Sequence, residues 1–265
     1  MTLDALATVA NRCFTGYFVP VHLGAKEIIQ MLRVDSVDLA ASTVVQCANE
    51  IIGVALVARR GWSCRLAAMA IEPDSRGKRV GKALTEFILS AARERGDRRF
   101  TLEVIEQNAP GVRLYEAAGF RTLRRLVGYT ATALANHADA GLEETDPVEV
   151  SLMVAQWGIH DPPWQLSAQT VAALSPPHRA YRLGPAGAVI STPDSDTITF
   201  RSLTVAPEAR RQGWATRLLQ ALSARFPGKK WRVPVWVPEE IPATFFTRLN
   251  FSPERLTQFQ MARDL

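Results

Sequence analysis

Apolar positions along this chain recur with two periods, and the periods alternate. Leu3, Leu6, Val9, Ala10 and Phe14 share one helical face, which predicts a helix over residues 3–14. Residues 51–58 and 65–71 are short apolar runs, the first rich in Val and Ile and the second in small residues, and they predict two strands. Val80, Ala83, Leu84, Phe87, Ile88 and Ala91 return to helical spacing, with Gly96 as a C-terminal stop. Phe100, Leu102 and Val104 then alternate against Thr101, Glu103 and Ile105, a strand with two polar positions on its second face. A short helix over 108–118 closes at Gly119 and Phe120, and a last strand is expected over 126–133.

The same order returns in the second half. Asp146-Pro147 reads as a cap and first helical turn. A helix over 164–174, strands over 180–183, 186–191 and 197–205, a helix carrying Ala215, Leu218, Leu219, Leu222 and Phe226, a strand over 231–237 and a short helix over 243–250 follow. Residues 71–84 (IEPDSRGKRVGKAL) and 205–218 (VAPEARRQGWATRL) are altered copies of one unit. Matching Arg76 to Arg210 sets the repeat offset at 134, and matching Phe120 to Phe251 sets it at 131. Three residues are therefore missing from the second copy between its helix and the next strand. In each copy an apolar run, a proline, an arginine and a small-residue turn feed an amphipathic helix. Such a junction aims unpaired N–H groups and the positive end of the helix dipole at one place, where an anion belongs.

Composition narrows the partners. A chain of 265 residues with 47% hydrophobic content can build two domain cores. The expected division is residues 1–135, a linker over 136–145 and a second domain over 146–265. A net charge of +5 favours acidic partners, and a nucleotide-bearing cofactor satisfies it as well as nucleic acid does. The arginine-rich stretches at 93–99 and 121–125 carry no interleaved aromatics and read as solvated faces, so no nucleic-acid partner is expected. Cys13, Cys47 and Cys64 form no Cys-x-x-Cys pair, which argues against zinc and against a disulfide framework, and no metal is expected. With no apolar run long enough for a bilayer and no secretory layout at the N-terminus, a soluble cytoplasmic protein is the default.

On these residues the chain resembles the GNAT superfamily of acetyl-CoA-dependent N-acetyltransferases, in a tandem two-domain form. The family's signature is Arg or Gln, two residues, Gly, one residue, then Gly or Ala. Arg210-Arg211-Gln212-Gly213-Trp214-Ala215 fits it fully, and Arg76-Gly77-Lys78-Arg79-Val80-Gly81 fits except for Arg79 in the glycine position. The resemblance implies an α/β (α+β) fold of two units, each a mixed, mostly antiparallel sheet flanked by helices. It implies acetyl-CoA (coenzyme A) held by Met69, Ala70, Ile71, Arg76, Gly77, Lys78, Arg79, Val80, Gly81, Lys82 and Asn108 in the first unit. In the second, the matching positions are Leu203, Val205, Arg210, Arg211, Gln212, Gly213, Trp214, Ala215 and Thr216.

Transfer of an acetyl group to an amine needs a neutral amine, a stabilised oxyanion and a proton for the departing thiolate. The stretch from Glu103 to Phe120 is similar to bacterial ribosomal-protein alanine N-acetyltransferases, which implies Glu103 as base and Tyr115 as acid. Glu72 and Glu106 are competing bases. Backbone N–H groups near Ala70 and Ile71 would polarise the thioester, and Asn108 would hold the pantetheine arm. In the second unit Pro234, Glu239 and Phe246 stand where Glu103, Asn108 and Tyr115 stand in the first. The expectation is an N-acetyltransferase acting on a primary amine of a small molecule or peptide N-terminus. Its chemistry would lie in the first domain, and the second would be degenerate. The competing expectation is a non-catalytic acyl-CoA-binding or regulatory module.

Overall fold

The computed structural model describes all 265 residues. The first half runs α1 (Leu3–Cys13), α2 (Ala25–Val34), β1 (Val37–Cys47), β2 (Glu50–Arg60), β3 (Ser63–Ile71), α3 (Val80–Glu94), β4 (Arg99–Ile105), α4 (Ala109–Ala117) and β5 (Arg121–Ala131). The second half runs β6 (Leu142–Thr145), α5 (Pro147–Trp157), α6 (Ala168–Ala172), β7 (Arg179–Leu183), β8 (Ala186–Ile190), β9 (Thr197–Val205), α7 (Trp214–Arg225), β10 (Lys230–Pro238), α8 (Ala243–Thr247), β11 (Ser252–Pro253) and β12 (Gln258–Asp264). Single 3-10 turns at Pro73–Ser75 and Pro207–Ala209 precede α3 and α7. No helix is long and apolar enough to cross a membrane, and no cluster of His, Cys, Asp and Glu could hold a metal ion.

The chain forms two compact units, Met1–Arg124 with Gln258–Leu265, and Arg125–Thr257. In unit 1, β1, β2 and β3 form an antiparallel meander, α3 crosses over, and β4 returns parallel to β3. On the other edge of β4 lies the final strand of the chain, β12, antiparallel over the whole of β4 from Arg99↔Asp264 to Ile105↔Gln258. In unit 2, β6 to β9 are antiparallel neighbours and α7 returns the chain to β10, parallel to β9. The far edge of β10 is taken by β5, from Trp231↔Ala131 to Pro238↔Leu126. Each unit therefore receives its last strand from the other half of the sequence. The expected sequential division at 1–135 and 146–265 differs from these units by that exchange of strands.

Each unit has its own core. In unit 1, one sheet face puts Ala55, Val57, Leu66, Phe100, Leu102 and Val104 against Leu84, Ile88 and Leu89 of α3 and Tyr115 of α4, with Met261 of β12 fully buried among them. In unit 2, Tyr181, Ile190, Ile198, Phe200 and Trp231 pack on Leu218, Leu219 and Leu222 of α7. Fully burying one such side chain stabilises by about 1.5–3 kcal/mol. The three residues missing from the second copy come out of the crossing helix, which has 15 residues in α3 and 12 in α7.

The structure adds five elements to those the sequence pattern predicted: α2, β1, β6, β11 and β12. Three strands, not two, precede the first turn, and β6 falls in the stretch expected to be linker. The helix expected over 164–174 is a 3-10 turn followed by the five-residue α6.

Because β12 fills the edge of β4, a chain ending at Thr257 should lose hydrogen-exchange protection across residues 99–105 although its first half is intact. Met261→Ala should lower the stability of unit 1 by about 2–5 kcal/mol in urea unfolding. Unchanged protection in the shortened chain would show that β12 is not needed to complete the sheet.

Candidate functional site

In each unit the site begins with one extra residue in a strand. β3 pairs β2 at Leu56↔Ala68 and then at Val57↔Leu66, so Ala67 is a β-bulge. β9 pairs β8 at Val189↔Ser202 and then at Ile190↔Phe200, so Arg201 is the equivalent bulge one repeat later. A bulge bends its strand and raises the local twist. In unit 1 the parallel pairing of β3 with β4 ends at Leu66↔Leu102, just before the bulge. In unit 2 the pairing of β9 with β10 ends at Thr199↔Arg232. Beyond these points the two strands part. The edge of β3 carrying Met69, Ala70 and Ile71, and that of β9 carrying Leu203 and Val205, have no strand partner on that side.

The parted strand leads into the turn. Ser75 N–H donates to Glu72 O at 2.9 Å, and Ala209 N–H to Ala206 O at 2.9 Å, so the two turns fold alike. Two left-handed residues follow in each: Gly77 (φ 74°) and Arg79 (φ 64°) in unit 1, Arg211 (φ 63°) and Gly213 (φ 87°) in unit 2. Arg79 thus takes the conformation of the signature glycine. A Cβ at Gly213 would meet nothing within 4 Å, so the side chain at this position costs backbone strain and no clash. Val80 and Trp214 begin their helices with no side-chain cap, leaving the first N–H groups of α3 and α7 unpaired by side chains. Lys78, Arg79 and Lys82 are exposed around the first turn. At Gly81 a Cβ would make only ordinary contacts with Leu114, Ile71 and Met69, consistent with Ala215 at the matching place. Around the second turn, Gln212 Nε2 donates to Glu208 O at 2.8 Å, Thr216 is half-buried, and the Trp214 ring fits where Gly184 has no side chain.

The guanidiniums of the signature arginines bond backbone carbonyls. Arg76 Nε donates to Ile71 O at 2.9 Å, and its Nη2 donates to Cys13 O at 3.0 Å and Thr15 O at 2.8 Å. Arg210 Nε donates to Val205 O at 3.2 Å, and its Nη2 to Trp157 O. Both guanidiniums tie the end of the parted strand to the C-terminal end of the unit's first long helix, satisfying orphan helix carbonyls. The contribution expected of Arg76 and Arg210 to phosphate binding is thus engaged elsewhere, on backbone carbonyls.

The segment that Arg76 holds carries Tyr17. The Tyr17 side chain hydrogen-bonds that of Asn108, and burial raises its pKa. Asn108 is also the N-cap of α4, its Oδ1 accepting from Gly111 N–H at 3.1 Å. Tyr115, one turn from the end of α4, is buried edge-to-face against Phe120 at 5.9 Å. Burial pushes its hydroxyl far above the ordinary tyrosine range, and the nearby Tyr17 adds to the shift. Tyr17, Asn108 and Tyr115 therefore form one cluster behind the first turn. The sequence reading missed Tyr17, which has no periodic or motif signal.

Glu103 does not join this cluster. It alternates to the opposite face of β4 from Val104 and Leu102, where its Oε2 accepts from Arg65 Nε at 2.7 Å. Both side chains of that ion pair are nearly buried, at 9% and 4% exposure. Gln260 of β12 lies opposite Glu103 in register. Glu72, the competing base, pairs with Arg12 at 3.0 Å.

In unit 2 the matching positions are apolar or turned outward. Phe246 stacks on Tyr129 at 4.0 Å, Pro234 is buried, and Glu239 is exposed and paired with Arg125 at 2.6 Å. A cleft of about 160 Å³ lies between the parted β9 and β10.

Residues 5–120 match the acetyltransferase (GNAT) family. Among curated proteins the chain is 34% identical over 88 residues to streptothricin acetyltransferase of Streptomyces lavendulae, covering 32% of this chain and 47% of that one. It is 35% identical over 77 residues to mycothiol acetyltransferase of Propionibacterium freudenreichii subsp. shermanii, covering 29% of this chain and 25% of that one. The matches thus span about half and about a quarter of these relatives. Among solved structures, a GCN5-related N-acetyltransferase from Sphaerobacter thermophilus superposes with a TM-score of 0.70 at 16% identity, over 99% of this chain and 92% of that one. A tandem GNAT protein from the clavulanic acid biosynthesis pathway gives 0.66 at 14% identity, over 99% and 94%. At these identities the likeness is one of fold, and it extends over both units.

Arg79→Gly should stabilise unit 1 by about 1 kcal/mol by removing a side chain from the left-handed region, read as a higher urea midpoint at unchanged m. All four tyrosines, Tyr17, Tyr115, Tyr129 and Tyr181, have pKa values raised by burial above the ordinary value of 10. The protonated phenols are favoured in the fold, so their stabilisation is complete below pH 10 and is lost as pH climbs through the raised values. Phenolate absorbance should therefore lag a free-tyrosine curve and appear together with loss of circular dichroism. A normal titration in the folded protein would contradict the burial described.

Proposed function

Residues 5–120 belong to the acetyltransferase (GNAT) family and the whole chain has the tandem GNAT fold, and from that premise we propose that the protein is an N-acetyltransferase. It would move an acetyl group from acetyl-CoA to a primary amine of a small molecule or peptide N-terminus, with the chemistry in unit 1. The observation that carries this reading is the buried Tyr115 hydroxyl, gathered with Asn108 and Tyr17 beside the parting of β3 and β4. The residues present fit the donor: an uncapped α3 preceded by two left-handed residues suits its phosphates, and the unpartnered edge of β3 suits its amide-bearing arm.

When bound, acetyl-CoA supplies the acyl group already activated as a thioester. Backbone N–H groups of the first turn of α3 would hold the phosphates, and Lys78, Arg79 and Lys82 would add positive charge around them. Of the backbone N–H groups at the end of β3, that of Ile71, on the edge away from β2, would face the acyl oxygen, and Asn108 would orient the arm. Tyr115 retains its phenolic proton at neutral pH and gives it to the leaving sulfur. Glu103 takes a proton from the incoming amine, its carboxylate held in place by Arg65. Base and acid then serve different reactants from the two faces of β4, with the parted strands as the passage between them. Unit 2, with Pro234 and Phe246 at the matching positions, transfers nothing.

Incubation with acetyl-CoA and a pool of primary amines should release free thiol in excess of hydrolysis, and the absence of any amine-dependent release would sink the proposal. Tyr115→Phe should lower kcat by roughly 10²-fold at unchanged KM for acetyl-CoA. Glu103→Gln should lower kcat/KM by about 10²-fold or more near neutral pH, with the deficit shrinking as pH approaches the amine's own pKa. A deficit that stays constant with pH would remove Glu103 from the role of base.

A further inference from the structure

The cleft of unit 2 is built from the residues that replace the proton-transfer groups. Pro234 and Phe246, which stand where Glu103 and Tyr115 stand in unit 1, both line it. Phe200, Leu203, Val233, Trp236, Ile241 and Phe245 supply much of the remaining wall. Both replacements run from a titratable side chain to an apolar one, and both face the same space. Loss of catalysis alone predicts no common direction for the two changes. Conversion of a reaction cleft into a hydrophobic chamber does.

Arg201 and Ser202 are the polar residues of the lining. The Arg201 guanidinium lies over the Trp236 ring, 4.6 Å from its centroid, at one wall of the cleft. The aromatic and aliphatic side chains offer water no hydrogen-bond partner, so polar contacts in the cleft are confined to Arg201, Ser202 and the backbone edges left by the parting of β9 from β10. The free space of about 160 Å³ is enough to take an apolar group the size of benzene.

We propose that this chamber is a binding site for an apolar organic group of about six to ten heavy atoms, a short alkyl chain or a single aromatic ring, held without reaction. The group could arrive as a free hydrocarbon, as a carboxylate beside Arg201, or as the acyl tail of a thioester. Its binding does not depend on the transfer chemistry proposed for unit 1.

The full-length protein is titrated with toluene, hexanoate and hexanoyl-CoA, with acetate and coenzyme A as polar controls, and tryptophan fluorescence and the thermal midpoint are followed. Saturable binding of at least one apolar probe is expected, at least tenfold weaker in both Pro234→Glu, which puts a carboxylate into the chamber, and Ile241→Trp, which fills it. Toluene binding identifies the hydrocarbon as sufficient, binding of hexanoate without toluene adds recognition of a carboxylate, and binding of hexanoyl-CoA alone assigns a thioester source. Circular dichroism checks both variants, and Ile241→Trp, in the loop after β10, carries the test if Pro234→Glu does not fold. No saturable binding of any apolar probe, or binding unaltered by the folded variants, overturns the proposal.

Discussion

Everything functional in this chain depends on a single surplus residue in each of two strands. Parallel strands held by regular hydrogen bonds have no reason to separate in the middle of a sheet. The bulges at Ala67 and Arg201 supply one by turning β3 and β9 away from their parallel neighbours. The separation exposes backbone N–H and C=O groups inside a packed unit, which is tolerable only if something else bonds them. It also opens a gap that side chains from both sheet faces can reach. The left-handed turn and helix start lie at the end of the same strand, so the bulge fixes their aim. The two units share this scaffold and differ in what fills it: a carboxylate, a phenol and an amide cap in one, a proline, a phenylalanine and an outward glutamate in the other.

Charge is used in two distinct ways around the turns. The guanidiniums of Arg76 and Arg210 are spent on carbonyl oxygens, where they lock the ends of α1 and α5 to the parted strands. The first N–H groups of α3 have no side-chain cap, and Lys78 and Arg79 remain exposed beside them. Arg79 carries a conformational strain of about 1–3 kcal/mol. The nearly buried Arg65–Glu103 pair is a third use of charge. Desolvation of both ions offsets most of their attraction, so its value lies in fixing where the carboxylate points more than in stability.

The repeated turns and the strand and helix after each were legible in the sequence because proline, glycine and a 3.6-residue apolar period mark them within a few residues of one another. β1 was not, since register shifts between Asp38 and Thr43 and between Val45 and Gln46 break its alternation. α2 carries a signal that went unread: the Gly24 N–H bonds the Glu27 carboxylate at 2.9 Å just ahead of an amphipathic stretch. β12 is seven residues long, with Phe259 and Met261 as its inward positions, too little to stand out beside charged neighbours. Tyr115 and Asn108 were reached through a motif, whereas Tyr17, the Arg65 partner of Glu103 and the arginine tethers join residues far apart in the chain. Pairings of that kind depend on tertiary structure, and no local pattern encodes them.

The exchanged strands also order events in time. When β4 emerges during synthesis, its natural edge partner is still missing, because Gln258 follows Ile105 by about 150 residues, which takes roughly 10–30 s at typical elongation rates. Through that interval the nascent first half has an open strand edge beside Phe100 and Leu102, the kind of edge that recruits foreign strands. β5 meanwhile is already made but waits for β10. Unit 2 can close once β10 is made, whereas unit 1 waits for β12, so a ribosome stalled between the two leaves unit 1 alone without its last strand.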